Sequence, residues 1–256
     1  MSVLDSIIAG VREDLIARRL PLAQLREKLE SAPPVIDAHP GLKGERVSVI
    51  AEVKRSSPSK GALSTIADPG KLAEQYQSAG ASVISVLTEE RRFSGSLADL
   101  ATVRSAVEIP ILRKDFMVDE YQFYEARAYG ADVVLLIVAA LSSHQLKDYF
   151  EMATELGMAS LIEVHTYEEL ERAMEIKPRI IGINSRNLKT LEVDQRAFAQ
   201  LLPQIPSEII RVAESGISTR SEVESAEGFG ADAILVGEAL VRAGDPISTL
   251  QALRGL

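Results

Sequence analysis

The chain has 256 residues, of which 46% are hydrophobic and 25% are charged, so it can bury the core of a single barrel-sized domain. Its formal net charge of −9 argues against a surface that follows nucleic acid phosphates, because such binding depends on clustered Lys and Arg. The chain contains no cysteine, which excludes disulfides, thiolate nucleophiles and cysteine-held metal sites.

The amino-terminal segment MSVLDSIIAGVREDLIARRL differs from a signal peptide, because acidic residues interrupt its apolar stretch and no small-residue cleavage site follows. The longest apolar run, residues 131–141, is shorter than the about 20 residues that span a bilayer. We therefore expect a cytoplasmic protein without a membrane partner. His39, His144 and His165 show no metal-ligand spacing, so we expect neither a metal nor a cofactor.

Two helical segments, residues 2–19 and 22–30, precede the first predicted strand and are separated by Pro21. From residue 47 onward, eight Val/Ile/Leu-rich strands alternate with segments of helical period, which predicts parallel strands with helical crossovers. The predicted strands are VSVIAEVK, ASVISVLTE, IPILRKDF, ADVVLLIVAA, MASLIEVH, RIIGINSR, EIIRVAESG and ADAILVGEAL. Helices are expected at residues 68–78, 96–105, 120–129, 142–156 and 246–253, among others.

Eight strand–helix pairs are the number that closes a (β/α)8 TIM barrel, an α/β fold. An open doubly wound sheet is the alternative, but it often carries a GxGxxG fingerprint after its first strand, and none occurs here. We predict one domain overall, with an N-terminal helical extension at residues 1–46 and the barrel at 47–256. Because the barrel is complete without the extension, we expect the extension to cover part of the barrel mouth.

The carboxyl ends of the strands, where such barrels place their active sites, are unusually polar here. Side chains alternate along a strand, so Glu52 and Lys54 point into the mouth while their apolar neighbours pack on helices. Converging carboxylates and ammonium groups shift one another's pKa values, as acid–base chemistry requires. A self-neutralising salt-bridge network would explain one pair, but not charged residues at five strand ends. The inward-pointing residues are predicted to be Glu52, Lys54, Lys114, Glu163, Asn184, Arg186 and Glu214.

Glycines after the last two strands predict a phosphate site. Ser215 and Gly216 open one loop, and Gly237 precedes a short helical stretch at residues 238–242. Glycine lets the backbone approach a ligand, and the start of a helix offers free N–H groups. Many barrels bind phosphate at strands seven and eight. A turn-forming role would explain either glycine alone.

Six strings at the strand ends are specific enough to compare with known proteins: AEVKRSSPSKG (51–61), LRKDF (112–116), LIEVH (161–165), GINSRNL (182–188), AESGI (213–217) and LVGEAL (235–240). Together they resemble the indole-3-glycerol phosphate synthase family, and the resemblance covers almost the whole chain. That family converts 1-(2-carboxyphenylamino)-1-deoxyribulose 5-phosphate to indole-3-glycerol phosphate in tryptophan biosynthesis, releasing carbon dioxide and water. The resemblance implies a carboxy-lyase that acts on a small phosphorylated substrate; we expect a monomer or a weak homodimer.

The resemblance also implies roles for individual residues. Lys114 would protonate the C2′ carbonyl during ring closure, Glu163 would serve the proton transfers of dehydration, and Lys54 would meet the substrate carboxylate. Glu52 would orient Lys54, although the division of roles between the two lysines and Glu163 stays open. Ser57, Asn184 and Glu214 would line the mouth, Phe93 and Phe116 would flank the anthranilate ring, and Ser215, Gly216, Gly237 and Arg186 would hold the phosphate. A carboxylate facing phosphate would repel it, so only the backbone N–H of Glu238 is expected to point inward.

Two other functions stay open at this point. A non-catalytic phosphosugar-binding barrel is opposed by the intact Lys54, Lys114 and Glu163. A phosphoribosylanthranilate isomerase-like enzyme would resemble a family that uses a cysteine and an aspartate as its acid–base pair, and this chain has no cysteine. We expect His165 to have only a structural role at the barrel rim, because the sequence pattern supplies no partner for it.

Overall fold

The computed structural model describes residues 2–256 as a closed barrel of eight parallel strands with helices around it. Each barrel strand pairs with the next one along the chain, and the last pairs with the first. The predicted TIM barrel is therefore confirmed, and the open sheet is excluded. The strands are β1 (Ser48–Val53), β2 (Ser56–Ser57), β3 (Gly61–Ala62), β4 (Val83–Leu87), β5 (Ile111–Lys114), β6 (Val133–Ile137), β7 (Ala159–Val164), β8 (Ile180–Asn184), β9 (Ile210–Glu214) and β10 (Ala233–Val236).

The helices alternate with the barrel strands after β1. They are α1 (Val3–Arg18), α2 (Leu22–Ser31), α3 (His39–Leu42), α4 (Pro69–Ser78), α5 (Leu97–Ala106), α6 (Tyr121–Ala128), α7 (Ser143–Glu155), α8 (Tyr167–Glu175), α9 (Arg196–Leu201), α10 (Arg220–Gly228), α11 (Glu238–Arg242) and α12 (Pro246–Arg254). Short 3-10 turns follow β6 and α9, so the fourth predicted strand ends earlier than its apolar run. Within residues 2–256, no helix has both the length and the apolar character needed to cross a membrane.

Side-chain caps set where several helices begin. At α1, the Ser2 hydroxyl accepts the Asp5 backbone N–H while the Asp5 carboxylate accepts the Ser2 N–H. Ser142 and Gln145 form the same reciprocal pair at the start of α7. Each pair satisfies backbone donors that have no partner inside the helix. The polar residues that precede these apolar stretches therefore explain why helix starts could be predicted within a residue or two.

The two faces of β1 show how strand alternation builds both the core and the site. Val49, Ala51 and Val53 are at most 2% exposed and share the face that packs on the surrounding helices. Ile50 and Glu52 lie on the opposite face and are also buried, at 2% and 3% exposure. Burying a carboxylate costs free energy unless it is paired, so a glutamate on the inward face of this strand indicates a partner at the barrel mouth.

The amino-terminal extension runs from the mouth of the barrel to its opposite end. Leu4 and Ile7 of α1 line the cavity at the mouth, whereas α2 packs beside the barrel on α6. Near α3, the Gly41 carbonyl accepts a hydrogen bond from Ser48 Oγ at the amino-terminal end of β1 (2.9 Å). The expectation that the extension covers part of the mouth is confirmed by α1, whereas α2 and α3 lie away from the mouth.

Candidate active site

One cavity at the carboxyl ends of the barrel strands brings together every predicted site residue. Strand alternation turns these side chains inward, and closure of the barrel places strand ends that are distant in sequence side by side. The roles of the individual residues stay predictions. The predicted residues around the cavity are Glu52, Lys54, Ser57, Phe93, Lys114, Phe116, Glu163, Asn184, Arg186, Glu214, Ser215, Gly216, Gly237 and Glu238.

Glu52 and Lys54 form an ion pair on the inward face at the end of β1, with Glu52 Oε1 2.6 Å from Lys54 Nζ. Glu52 is almost fully buried, while the Lys54 side chain keeps 19% of its surface exposed. The Glu52 carboxylate therefore holds the Lys54 ammonium group in place where it reaches into the cavity. A Cβ at Gly237 would lie 2.4 Å from Glu52 Oε1, so the glycine at this strand end makes room for the carboxylate.

Lys114, at the end of β5, lies between two buried carboxylates. Its Nζ is 3.3 Å from Glu163 Oε2 on β7 and 3.6 Å from Glu214 Oε2 on β9. Burial disfavours the ammonium charge, but Glu163, Glu214 and Glu52 outweigh it and raise the pKa of Lys114 above its ordinary value. Lys114 therefore holds a proton at neutral pH, which is the state that a general acid requires.

The two carboxylates beside Lys114 differ in their protonation. Burial raises the pKa of Glu214 to about 8, with repulsion from Glu163 adding to the effect. Burial acts on Glu163 in the same direction, but Lys114 and His165 oppose it and hold the pKa of Glu163 below its usual range. Within the described residues, neither carboxylate oxygen of Glu214 has a hydrogen-bond partner. The surroundings thus shift the pKa values of these two carboxyl groups in opposite directions, and both groups lie within 3.6 Å of one ammonium.

Gly182 on β8 makes the position of Glu214 possible. A Cβ at Gly182 would lie 2.0 Å from Glu214 Oε1 and 3.2 Å from Leu161 Cδ1. Any side chain larger than a hydrogen would displace the carboxylate, since carbon and oxygen atoms in contact stay more than 3 Å apart. The sequence places this glycine on the inward face of a strand, where a missing side chain marks a close approach.

A buried charged network behind β5 was not found by sequence reasoning. Arg113 is fully buried and points away from the cavity, where it bonds to Asp115 and Glu125 (both 2.9 Å). Arg18 of α1 also pairs with Glu125 (3.1 Å). Because Arg113 and Lys114 are adjacent on one strand, anchoring Arg113 outside fixes the inward direction of Lys114. The sequence did contain a signal for this network, because a charged residue on the outward face of an otherwise apolar strand needs a buried partner.

The hairpin of β2 and β3 reaches across the mouth from the end of β1. Arg186 donates a hydrogen bond from Nη1 to Ser59 Oγ (3.2 Å), and Lys60 lies 3.6 Å from Glu238. Asn184 Oδ1 accepts the backbone N–H of Arg186 (2.9 Å), which aligns the end of β8. The Glu238 side chain contacts Lys60 and Arg242, and the expectation that only its backbone N–H faces a phosphate stays a prediction.

The apolar wall of the cavity combines two aromatic rings with the first turns of α1. The centroids of Phe93 and Phe116 are 6.2 Å apart, with an interplanar angle of 40°. The loop that carries Phe93 is held by α1, since Arg91 donates to Asp14 (2.6 Å) and pairs with Glu13 (2.8 Å). The extension therefore shapes this wall directly and through the loop after β4.

Ser215 and Gly216, after β9, adopt consecutive left-handed backbone conformations with φ of 69° and 73°. For serine this conformation costs about 1–3 kcal/mol and persists only where the surroundings impose it, most often beside ligands. Ser185 Oγ donates to the Ser215 carbonyl (3.0 Å) and holds the turn. The strained turn and Gly237 both belong to the cavity lining.

His165 has two carboxylate partners, so the expectation that it has none is wrong. Its Nε2 lies 3.4 Å from Glu163 Oε1, and its Nδ1 lies 3.1 Å from Glu169 Oε2 on α8. Burial alone would lower the pKa of His165, but the neighbouring carboxylates of Glu163 and Glu169 outweigh this effect and raise it to about 10. The signal was present in the sequence, because Glu163 shares a strand face with His165 and Glu169 follows four residues later.

Comparison with solved structures finds the same barrel in proteins of low sequence identity. A crystal structure of 3-hexulose-6-phosphate synthase superposes with a TM-score of 0.65 at 15% identity, covering 82% of this chain and 98% of that one. N-acetylmannosamine-6-phosphate 2-epimerase from Clostridium perfringens superposes with a TM-score of 0.61 at 16% identity, covering 83% and 94%. At this level of identity the likeness shows the fold alone.

Sequence comparison is far more specific. The chain is 57% identical over 248 residues to indole-3-glycerol phosphate synthase of Rhodococcus opacus, covering 96% of this chain and 92% of the relative. It is 54% identical over 255 residues to indole-3-glycerol phosphate synthase 1 of Streptomyces coelicolor, covering 99% and 95%. A family model for indole-3-glycerol phosphate synthase matches residues 4–253. The chain therefore belongs to the indole-3-glycerol phosphate synthase family.

Proposed function

We propose that this chain is a carboxy-lyase that converts 1-(2-carboxyphenylamino)-1-deoxyribulose 5-phosphate to indole-3-glycerol phosphate, releasing carbon dioxide and water in tryptophan biosynthesis. Membership of the family supports the reaction. The observation that carries the mechanism is the Lys114 ammonium within 3.6 Å of two buried carboxyl groups, Glu163 with a lowered pKa and Glu214 with a raised one. This arrangement supplies both a proton donor and a proton acceptor in one cavity.

Ring closure needs a proton at the carbonyl oxygen of C2′. In our proposal the anthranilate carbon that bears the carboxylate attacks C2′, while Lys114 Nζ donates a proton to the oxygen, which becomes a hydroxyl. Loss of carbon dioxide then returns the bonding electrons to the ring. The ionised Glu163 keeps Lys114 charged before substrate binds, and Lys114 can recover a proton from Glu214, whose pKa is raised, after donating its own.

In the dehydration step Lys114, reprotonated from Glu214, gives a proton to the new hydroxyl, which leaves as water, and the five-membered ring loses a proton. The ionised Glu163 is the acceptor that we assign to this proton, because its low pKa leaves it deprotonated at neutral pH. Lys54 is assigned to the substrate carboxylate. Its pairing with Glu52 (2.6 Å) holds the ammonium group at the cavity surface and favours a binding role over proton donation.

The two ends of the cavity fit the two ends of the substrate. The apolar wall around Phe93 and Phe116 suits a planar anthranilate ring. At the other end, the strained turn at Ser215 and Gly216, with Gly237 nearby, supports a phosphate site in the position that many barrels use. We further propose a cytoplasmic enzyme, monomeric or weakly dimeric, and size-exclusion chromatography over a range of concentrations tests the oligomeric state.

The test supplies the purified chain with the carboxyphenylamino-deoxyribulose phosphate and follows indole fluorescence and carbon dioxide release. Both products should appear together. Absence of turnover with intact substrate binding would instead identify a non-catalytic phosphosugar-binding barrel, and absence of both would refute the assignment.

Two lysine variants then separate the proposed roles. Lys114→Met should lower kcat by about a hundredfold to ten-thousandfold with a modest change in KM, because a positioned acid is lost. Lys54→Met should mainly raise KM, because a contact made equally in the ground and transition states is lost. Lys147→Met is the matched control, since Lys147 is 64% exposed on α7. Circular dichroism checks the fold of each variant. If Lys54→Met lowered kcat and Lys114→Met mainly raised KM, the roles proposed for the two lysines would be interchanged.

A further inference from the structure

The imidazole of His165 is fixed between two carboxylates at the end of β7. Nε2 faces Glu163 Oε1 at 3.4 Å, and Nδ1 faces Glu169 Oε2 at 3.1 Å. The same Glu169 oxygen accepts the backbone N–H of His165 (2.7 Å), so the helix start and the strand end are tied together. The side chain is only 10% exposed. Nδ1 forms a hydrogen bond with Glu169, whereas Nε2 is within ion-pair distance of Glu163 but has no hydrogen-bond partner among the described residues. A carboxylate on each side of the ring favours the charged imidazolium.

His165 does not belong to the cavity lining, whereas Glu163 does. The contacts form a line from Glu169 through His165 and Glu163 to Lys114, with steps of 3.1, 3.4 and 3.3 Å. Any effect of His165 on the chemistry must therefore pass through Glu163. The Glu169 side chain, at 19% exposure, is the solvent-side end of this line.

The two carboxylates beside Lys114 have similar burial and similar distances to its ammonium group. Both Glu163 and Glu214 are 1% exposed, and both lie within 3.6 Å of Lys114 Nζ. Two neighbouring carboxylates in one desolvated site do not both ionise easily. Only Glu163 has the imidazole of His165 in contact, so a second cation distinguishes it from Glu214.

The charged groups that face His165 come from several elements. Glu163 lies on its own strand and Glu169 on α8, Glu214 acts on it from β9, and Lys114 stands beyond Glu163 on β5. The two nearest groups are both acidic, and they outweigh burial to raise the pKa of the ring. Both nearest neighbours therefore favour the charged form of the imidazole.

We propose that His165, held in place by Glu169, is a positioning residue that keeps Glu163 as the ionised member of the Glu163–Glu214 pair. This inference rests on the proposed function, because it concerns the base of that reaction. It assigns His165 no contact with substrate. Its effect is electrostatic, since an opposite charge within about 4–6 Å shifts the pKa of a carboxyl group by about 1–3 units.

The experiment compares the wild type with His165→Gln, Glu169→Gln and the double variant, using the pH dependence of kcat/KM. His165→Gln should move the acidic limb of the profile upward by about one unit or more while KM changes little. Glu169→Gln should move it in the same direction by less, because the imidazole remains. The double variant should match His165→Gln alone, since Glu169 acts through the imidazole. His144→Gln on the exposed face of α7 is the control.

A substrate-free measurement separates this inference from the proposed function. NMR of the imidazole signals should show that the His165 ring keeps its proton across about pH 6 to 8, where an ordinary imidazole titrates. A His165 ring that loses its proton in this range would overturn the inference, as would unshifted profiles in an active enzyme. An inactive wild type would overturn the proposed function instead. If His165→Gln fails to fold, Glu169→Gln and the NMR titration decide the question.

Discussion

The prediction that the structure constrains most closely concerns Gly182, whose missing side chain leaves space for Glu214. In Gly182→Ala the new Cβ would start 2.0 Å from Glu214 Oε1, and ordinary contact begins near 3.4 Å. The carboxylate must therefore move by about 1.4 Å, the difference between these distances. Leu161 Cδ1 lies 3.2 Å from the same Cβ position, so the new methyl group cannot avoid the carboxylate by moving toward Leu161.

Both stability and activity should change by amounts that follow from this displacement. Overpacking a core by one methyl group costs about 1–3 kcal/mol, which lowers Tm by roughly 2–10 °C in a chain of this size. A displacement of about 1 Å in a catalytic site costs about a hundredfold in rate. We therefore expect kcat/KM to fall by about that factor, because Glu214 no longer lies beside Lys114 at its present 3.6 Å.

The assay measures indole formation and thermal melting for Gly182→Ala and for a control, Gly228→Ala, where a Cβ would meet nothing within 4 Å. The control should keep its activity and its Tm. Adding Glu214→Asp to Gly182→Ala shortens the opposing side chain and should recover Tm but not activity. A Gly182→Ala enzyme with wild-type Tm and kcat/KM would refute the clearance argument.

Three further predictions concern the same cavity. Gly237→Ala should raise KM and lower Tm, because its Cβ would lie 2.4 Å from Glu52 Oε1; steady-state kinetics and melting curves test this, and an unchanged enzyme would contradict it. Arg91→Ala should raise KM more than it lowers Tm, because the exposed pairs that it loses contribute little stability yet hold the loop of Phe93; unchanged KM would show that the loop holds itself. The Tm of the wild type should fall as pH rises from about 4.5 through about 8, because the raised pKa of Glu214 stabilises the fold only while that group is protonated. In Glu214→Gln the contribution of this group to the decrease in Tm should be absent. Melting curves of both proteins across this pH range test the prediction.

The sequence by itself determined the barrel and the identity of the residues around its mouth. Strand alternation is a local property with a period of two residues, so Glu52 and Lys54 could be assigned to the inward face without knowing any distance. The count of eight strand–helix pairs determined closure, and closure required the polar strand ends to meet. The strings around Lys114, Glu163 and Asn184 were specific enough to indicate the family before any geometry was available.

The sequence also carried signals that were not used. The spacing of Glu163, His165 and Glu169 placed two acids within reach of one imidazole, yet the strand and the following helix had to be assembled before the contact was evident. The path of the N-terminal extension over the barrel could not be predicted from the sequence either. Helical period shows that α2 has an apolar side but not which surface of the barrel that side covers, and it covers α6 rather than the mouth.

Tertiary structure alone decided the protonation pattern of the site. Lys114 and Glu163 are 49 residues apart in the chain, and their separation of 3.3 Å depends on the register of strands around the closed barrel. Ionisation depends on burial and on distances of a few ångströms, since charge interactions in a desolvated cavity change steeply over that range. Neither quantity is local to a stretch of sequence, so residue types could be predicted while the difference between Glu163 and Glu214 required the assembled barrel.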